Sequence, residues 1–126
     1  MTSIIKVDEI QNKAGSTSLA ANKLPDMLSG SAKVWANLQS GTASILGSLN
    51  VSSTTDNGTG DHTITYNNAL ANDAYSVGGS AQTSRRYFSG NSAATKLASS
   101  MRIRIHVDNG TTNDADNSVQ TFGDLA

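Results

Sequence analysis

The stretch NVSSTTDNGTGDHTITY, residues 50–66, sets a tract of small polar residues between two runs in which apolar and polar side chains alternate. Alternation with period two is the mark of a half-buried strand, because successive side chains point to opposite faces of a sheet. Within the tract, Asn57-Gly58 offers positive-φ positions at low cost, and the Asp56 carboxylate can accept from backbone amides just ahead of it. The tract therefore reads as the tip of a β-hairpin whose second strand is HTITY, residues 62–66.

The same signal continues on both sides. Upstream, KVWANL gives a strand over Val34 to Leu38, and SILGSLNV a run from Ser44 to Val51 in which Leu46 breaks the alternation and Gly47 marks a bulge or close contact. Downstream, AYSVGGSAQ (74–82) puts Tyr75 and Val77 on one face, and SVQTF (118–122) closes the series. The clearest strand is MRIRIHV, residues 101–107, with Met101, Ile103, Ile105 and Val107 facing one way and Arg102, Arg104 and His106 the other. Short strands joined by Asn, Asp and Gly turns, with no convincing helix, predict an all-β fold, a small antiparallel β-sandwich or jelly-roll-like domain preceded by an extended N-terminal segment. The lone proline, Pro25 in KLPDMLSGS, reads as a bend or a single helical turn closed by Gly30. It places a boundary between an N-terminal segment, residues 1–30, and a β domain, residues 31–126.

Composition narrows the function. Ile, Leu, Val and Phe together make up 24 of 126 residues, near the level at which chains fail to build a core. The formal net charge of -1 is too small for a self-repelling disordered polyelectrolyte. A thin core in a folding chain asks for oligomerisation. There is no basic excess for nucleic acid, no cysteine for a disulfide framework or thiolate zinc site, and no run long enough to insert in a membrane. Neither cofactor nor metal is expected. The loop VDNGTTNDADNSV, residues 107–119, could be written as a calcium site using Asp108, Asn113, Asp114 and Asp116, but it lacks EF-hand spacing and a bidentate Glu, so it is read as another polar hairpin tip. The Asn-x-Ser/Thr triplets at Asn50, Asn57 and Asn109 are likewise read as turn chemistry.

The segment NVSSTTDNGTGDHTITYNNALANDAYSVGGSA, residues 50–81, together with the preceding Trp35-x-Asn37 and the opening SIIKVDEIQNKAG (3–15), resembles tail-fibre and tail-associated proteins of bacteriophages, especially marine and cyanobacterial ones. Leu38 and Leu49 stand where that family usually has aromatic residues, and Ala71 replaces its common proline. The resemblance implies a virion structural protein, made in the host cytoplasm and placed on the tail. It implies an elongated homotrimer docked on the tail or baseplate by its N-terminus, with an outward β domain that contacts a host-surface glycan or protein, or another tail protein.

Candidate residues follow from these readings. Ile4, Ile5, Val7 and Ile10 form an apolar stripe too short to be buried by its own segment, suited to docking or to gathering around an oligomer axis. Arg85, Arg86, Tyr87 and Phe88 make the candidate receptor-contact loop, since guanidiniums beside aromatics can hydrogen-bond and stack on sugars. The competing reading has an aromatic anchoring that loop in the core while the arginines pair with carboxylates. Trp35 is read as core, as large aromatics carry much of a small domain's burial. The Arg102, Arg104 and His106 face is read either as solvated or as meeting an acidic residue of an adjacent subunit. His62 and His106 belong to no nucleophile or metal-binding motif, so no enzyme is expected. Two alternatives to the fibre subunit are a capsid decoration protein and a small carbohydrate-binding module.

Overall fold

The computed structural model describes residues 9–11, 18–20, 30–82, 85–90 and 96–126. Two units are distinguished, Met1–Ser31 and Ala32–Ala126. In the first, β1 (Glu9–Gln11) and β2 (Ser18–Ala20) form an antiparallel pair in which Ile10 lies opposite Leu19. Of the four N-terminal docking candidates, Ile10 lies in β1, and Ile4, Ile5 and Val7 are outside the described residues, as is Pro25.

The second unit is all-β, with no helix among the described residues, as the alternation predicts. Its strands are β3 (Val34–Leu38), β4 (Ile45–Leu49), β5 (Val51–Gly58), β6 (Asp61–Tyr66), β7 (Ser76–Ala81), β8 (Arg86–Gly90), β9 (Lys96–Leu97), β10 (Ser100–Val107) and β11 (Asn117–Phe122). One antiparallel sheet runs β5-β6-β10-β8 with β9 also pairing with β10; the other runs β4-β3-β11-β7. The two sheets bury a shared core of Val34, Ala36, Leu38, Ile64, Tyr66, Leu70, Tyr75, Met101, Ile103 and Val119. Inward residues on β3, β6, β10 and β11 occur at every second position, as a sheet with one covered face requires.

The run SILGSLNV is two strands. Asn50 takes a positive φ of 58°, and the chain leaves one sheet as β4 and enters the other as β5. Its Oδ1 accepts from Asn68 N at 2.7 Å, and its Nδ2 donates to Asn68 O at 3.0 Å, a local bond pattern that only a short amide side chain supplies at such a corner. Leu46 is the additional residue of a bulge where Asn37 pairs with Gly47 and Leu38 with Ile45.

The tip of the opening hairpin lies two residues later than the sequence suggests. β5 continues through Asn57 and Gly58, and the reversal falls at Thr59-Gly60. Asp56 Oδ1 does accept from Gly58 N, at 2.9 Å, while Asn57 Nδ2 donates across the ladder to Thr63 Oγ1 at 2.8 Å, which holds Asn57 in the strand. Gly60 fixes the turn. It has a φ of +62°, and a Cβ there would collide with the backbone of Asn113. Its N–H donates to Asp114 Oδ1 at 2.6 Å, and Ser40 N donates to Asp116 Oδ1 at 2.7 Å. Those two carboxylates, weighed above as metal ligands, thus tie separate loops to the β10–β11 connection. Burying these amides without a partner would cost about 1–3 kcal/mol each.

Candidate functional site

The outward face of the β5-β6-β10-β8 sheet gathers Arg102, Arg104, His106 and Tyr87 with Asp61. Because Met101, Ile103 and Ile105 fill the core, Arg102, Arg104 and His106 must project outward from β10. Asp61 opens β6 directly opposite Arg104. Its Oδ1 accepts from Arg102 Nε at 2.6 Å, and its Oδ2 accepts from Arg102 Nη2 at 2.8 Å and from Arg104 Nε at 2.7 Å. Burial pushes the Asp61 carboxyl up, but the hydrogen bonds and charges of the two guanidiniums outweigh it and hold the group below the usual carboxylate range. One carboxylate shared by two guanidiniums leaves the cluster with a net positive charge. An acidic partner of this face comes from the same chain, 41 residues before Arg102 in sequence.

Beside this cluster, Tyr87 stacks on His106 with ring centroids 5.3 Å apart and an interplanar angle of 18°. His106 Nδ1 lies 3.1 Å from Gly110 O, which steadies the ring. Tyr87 is 48% exposed, so the pair presents an aromatic surface to solvent.

The four residues of the candidate receptor loop are thereby separated. Arg86, Tyr87 and Phe88 belong to a strand, β8, and a strand sends neighbours to opposite faces. Phe88 turns inward, packs against the core and sits over Gly79, where a Cβ would come within 2.9 Å of its ring. Arg86 donates from Nε and Nη2 to Asn113 Oδ1 at 3.1 and 2.7 Å. Tyr87 faces outward, and Arg85, at a φ of +59°, is exposed at the start of the strand. Phe88 as anchor is the competing reading set out above, although Arg86 is held by the Asn113 amide, with no carboxylate partner among the described residues. The adjacency of two aromatics, Tyr87 and Phe88, hid the alternation that marks a strand.

A cleft of about 290 Å³ opens between β7 and the β8–β9 side of β10, lined by Tyr75, Val77, Phe88, Lys96, Met101 and Ile103. Lys96 Nζ donates to Tyr75 O at 3.0 Å and lies 5.2 Å from the centre of the Tyr75 ring. The Tyr75 hydroxyl accepts from Tyr66 at 3.2 Å and points its own proton toward Leu97 O and Ser100 O, at 3.2 and 3.0 Å. Burial raises both phenols above their ordinary range. These groups serve as ties within the sandwich.

Trp35 departs from its core assignment. Val34, Ala36 and Leu38 take the inward phase of β3, so Trp35 and Asn37 share the outward face of the second sheet. Burial alternates strictly along β3, but Val34, Trp35 and Ala36 are three apolar residues in a row, so the sequence did not mark the phase of Trp35. Among the described residues, no group of three His, Asp or Glu side chains converges as metal ligands would. The two outward faces carry aromatic rings, guanidinium donors and side-chain amides. No protein-family model, curated protein or solved structure matches the chain.

Proposed function

We propose that this chain is a non-catalytic virion protein of a tailed bacteriophage, a short trimeric tail-fibre subunit that docks on the tail or baseplate through its N-terminal segment and displays its β-sandwich to a host surface or another tail protein. The observation that carries this reading is the resemblance of residues 50–81 and Trp35-x-Asn37 to such proteins. The sandwich is compatible with it in two ways. Ile, Leu, Val and Phe make up only 24 of the chain's 126 residues, a scarcity expected of a domain that gains stability by assembly. Its outward residues Arg85, Tyr87, Arg102, Arg104 and His106 offer hydrogen-bonding and stacking groups instead of a reaction centre. Repetition around a trimer would make weak contacts add up through avidity.

Light scattering on the purified chain at several concentrations tests the assembly, with a stable trimer expected. A monomer at every concentration would sink the trimeric fibre. Serine at Ile4, Val7 and Ile10 is expected to abolish both trimerisation and incorporation into virions; persistence of both would remove the docking role. Immunogold labelling is expected on the tail, whereas label distributed over the capsid would identify a decoration protein instead.

A further inference from the structure

We propose that the outward face of the β4-β3-β11-β7 sheet binds a neutral saccharide, with one sugar ring stacked on the Trp35 indole and its hydroxyls held by the Asn37 and Gln120 amides. In the register, Leu49, Trp35, Gln120 and Gly78 form one row across the four strands, and Gly47, Asn37, Ser118 and Ser80 form the next. The distal carbons of the indole come to 3.5 Å from where a Gly47 Cβ would stand. Gly47 is on the neighbouring strand, so the indole lies across the outward side of the sheet, where Trp35 is half-buried. A Gly78 Cβ would meet nothing within 4 Å, which leaves the Gln120 side of the row open.

The chemistry of this face selects its occupant. A sugar ring has a face of polarised C–H bonds that complements the negative face of an aromatic ring, while its rim carries hydroxyls that both donate and accept. Gln120 stands about 5 Å from Trp35 on the adjacent strand and Asn37 about 7 Å away along β3, positions from which amides reach the rim of a stacked ring. Neither amide side chain makes a hydrogen bond among the described residues. A second protein copy pressed on this face would bury both amides at a cost unless it supplied matching groups, whereas sugar hydroxyls pair with them directly. None of the side chains in these two rows is charged, which suits a neutral sugar better than an anionic one. The inference stands on this face alone, whichever particle carries the chain, and it lies on the opposite sheet from Tyr87 and the Asp61 cluster.

Trp35 is the only tryptophan in the chain, so its emission reports this site without labelling. Titrating the full-length protein with cellohexaose, maltohexaose and mannohexaose should give, for at least one, a saturable blue shift matched by calorimetry, with a Kd of roughly millimolar or tighter. Gln120→Ala and Asn37→Ala retain the indole and should each weaken binding about fivefold. Trp35→Ala should reduce affinity at least about tenfold by calorimetry, and Tyr87→Ala should leave it unchanged. The inference is overturned by no saturable response to any of the three sugars, by affinity that survives Trp35→Ala in a folded variant, or by an emission shift that follows protein concentration without sugar, which would mean a second copy covers the ring. Such a failure leaves the solution mass and virion location as they are, so it is distinct from failure of the fibre reading.

Discussion

His62 is fully buried on β6, yet neither of its ring nitrogens has a hydrogen-bond partner among the described residues. A buried donor or acceptor without a partner costs about 1–3 kcal/mol, so His62→Leu is expected to raise stability by about 1 kcal/mol in urea unfolding. A loss of stability would show instead that the imidazole is satisfied in solution. Asp61 presents the opposite case, a nearly buried carboxylate with every strong interaction made. Its protonation constant is lower in the folded chain than in the unfolded one, so its contribution is complete above the unfolded value of about 4 and is lost as pH falls through the lower folded value. Asp61→Asn should destabilise the chain by about 2 kcal/mol at pH 7, and the gap from the parent should shrink as pH falls below about 4. A gap independent of pH would remove the carboxylate charge from the explanation.

At the level of elements, β8 is the informative strand, because its alternation separates neighbours that look equivalent in sequence. Phe88→Ala removes an anchor packed over Gly79 and should cost about 2–3 kcal/mol, whereas Tyr87→Ala should change stability by no more than about 0.5 kcal/mol and act on surface contacts alone. Paired denaturation curves check this, and equal costs would contradict the strand assignment. The strand over 101–107 was legible because it has one covered face and a clean period of two. β8 was not, since aromatics at 87 and 88 present no apolar-polar contrast. The hairpin tip was displaced for a related reason: Asn57-Gly58 is a good turn by local chemistry, but the Asn57–Thr63 bond and the fit of Gly60 against Asn113 decide where the chain reverses.

Across the whole molecule, the division at Ser31 and Ala32 allows stability and assembly to be measured separately. A chain beginning at Ala32 is expected to melt cooperatively within about 3 °C of the full chain while losing the trimeric mass proposed above, as followed by calorimetry and light scattering. A large fall in Tm would mean that the sandwich relies on the N-terminal segment for its folding. Alternation is a local property, and so the sequence by itself determined the all-β class, the inward phase of the principal strands and the polar character of the connections. The outward phase of Trp35 was decided in the structure, since Val34-Trp35-Ala36 shows no apolar-polar contrast and the size of the indole argued for burial. Pairing between distant strands was decided only in the tertiary structure. The passage from one sheet to the other at Asn50, the meeting of Asp61 with Arg102 and Arg104, and the latching of loops by Asp114 and Asp116 all depend on it. The physical reason is that side-chain direction is set residue by residue along a strand, whereas an ion pair or a sheet partner is set by which distant segments the shared core brings together.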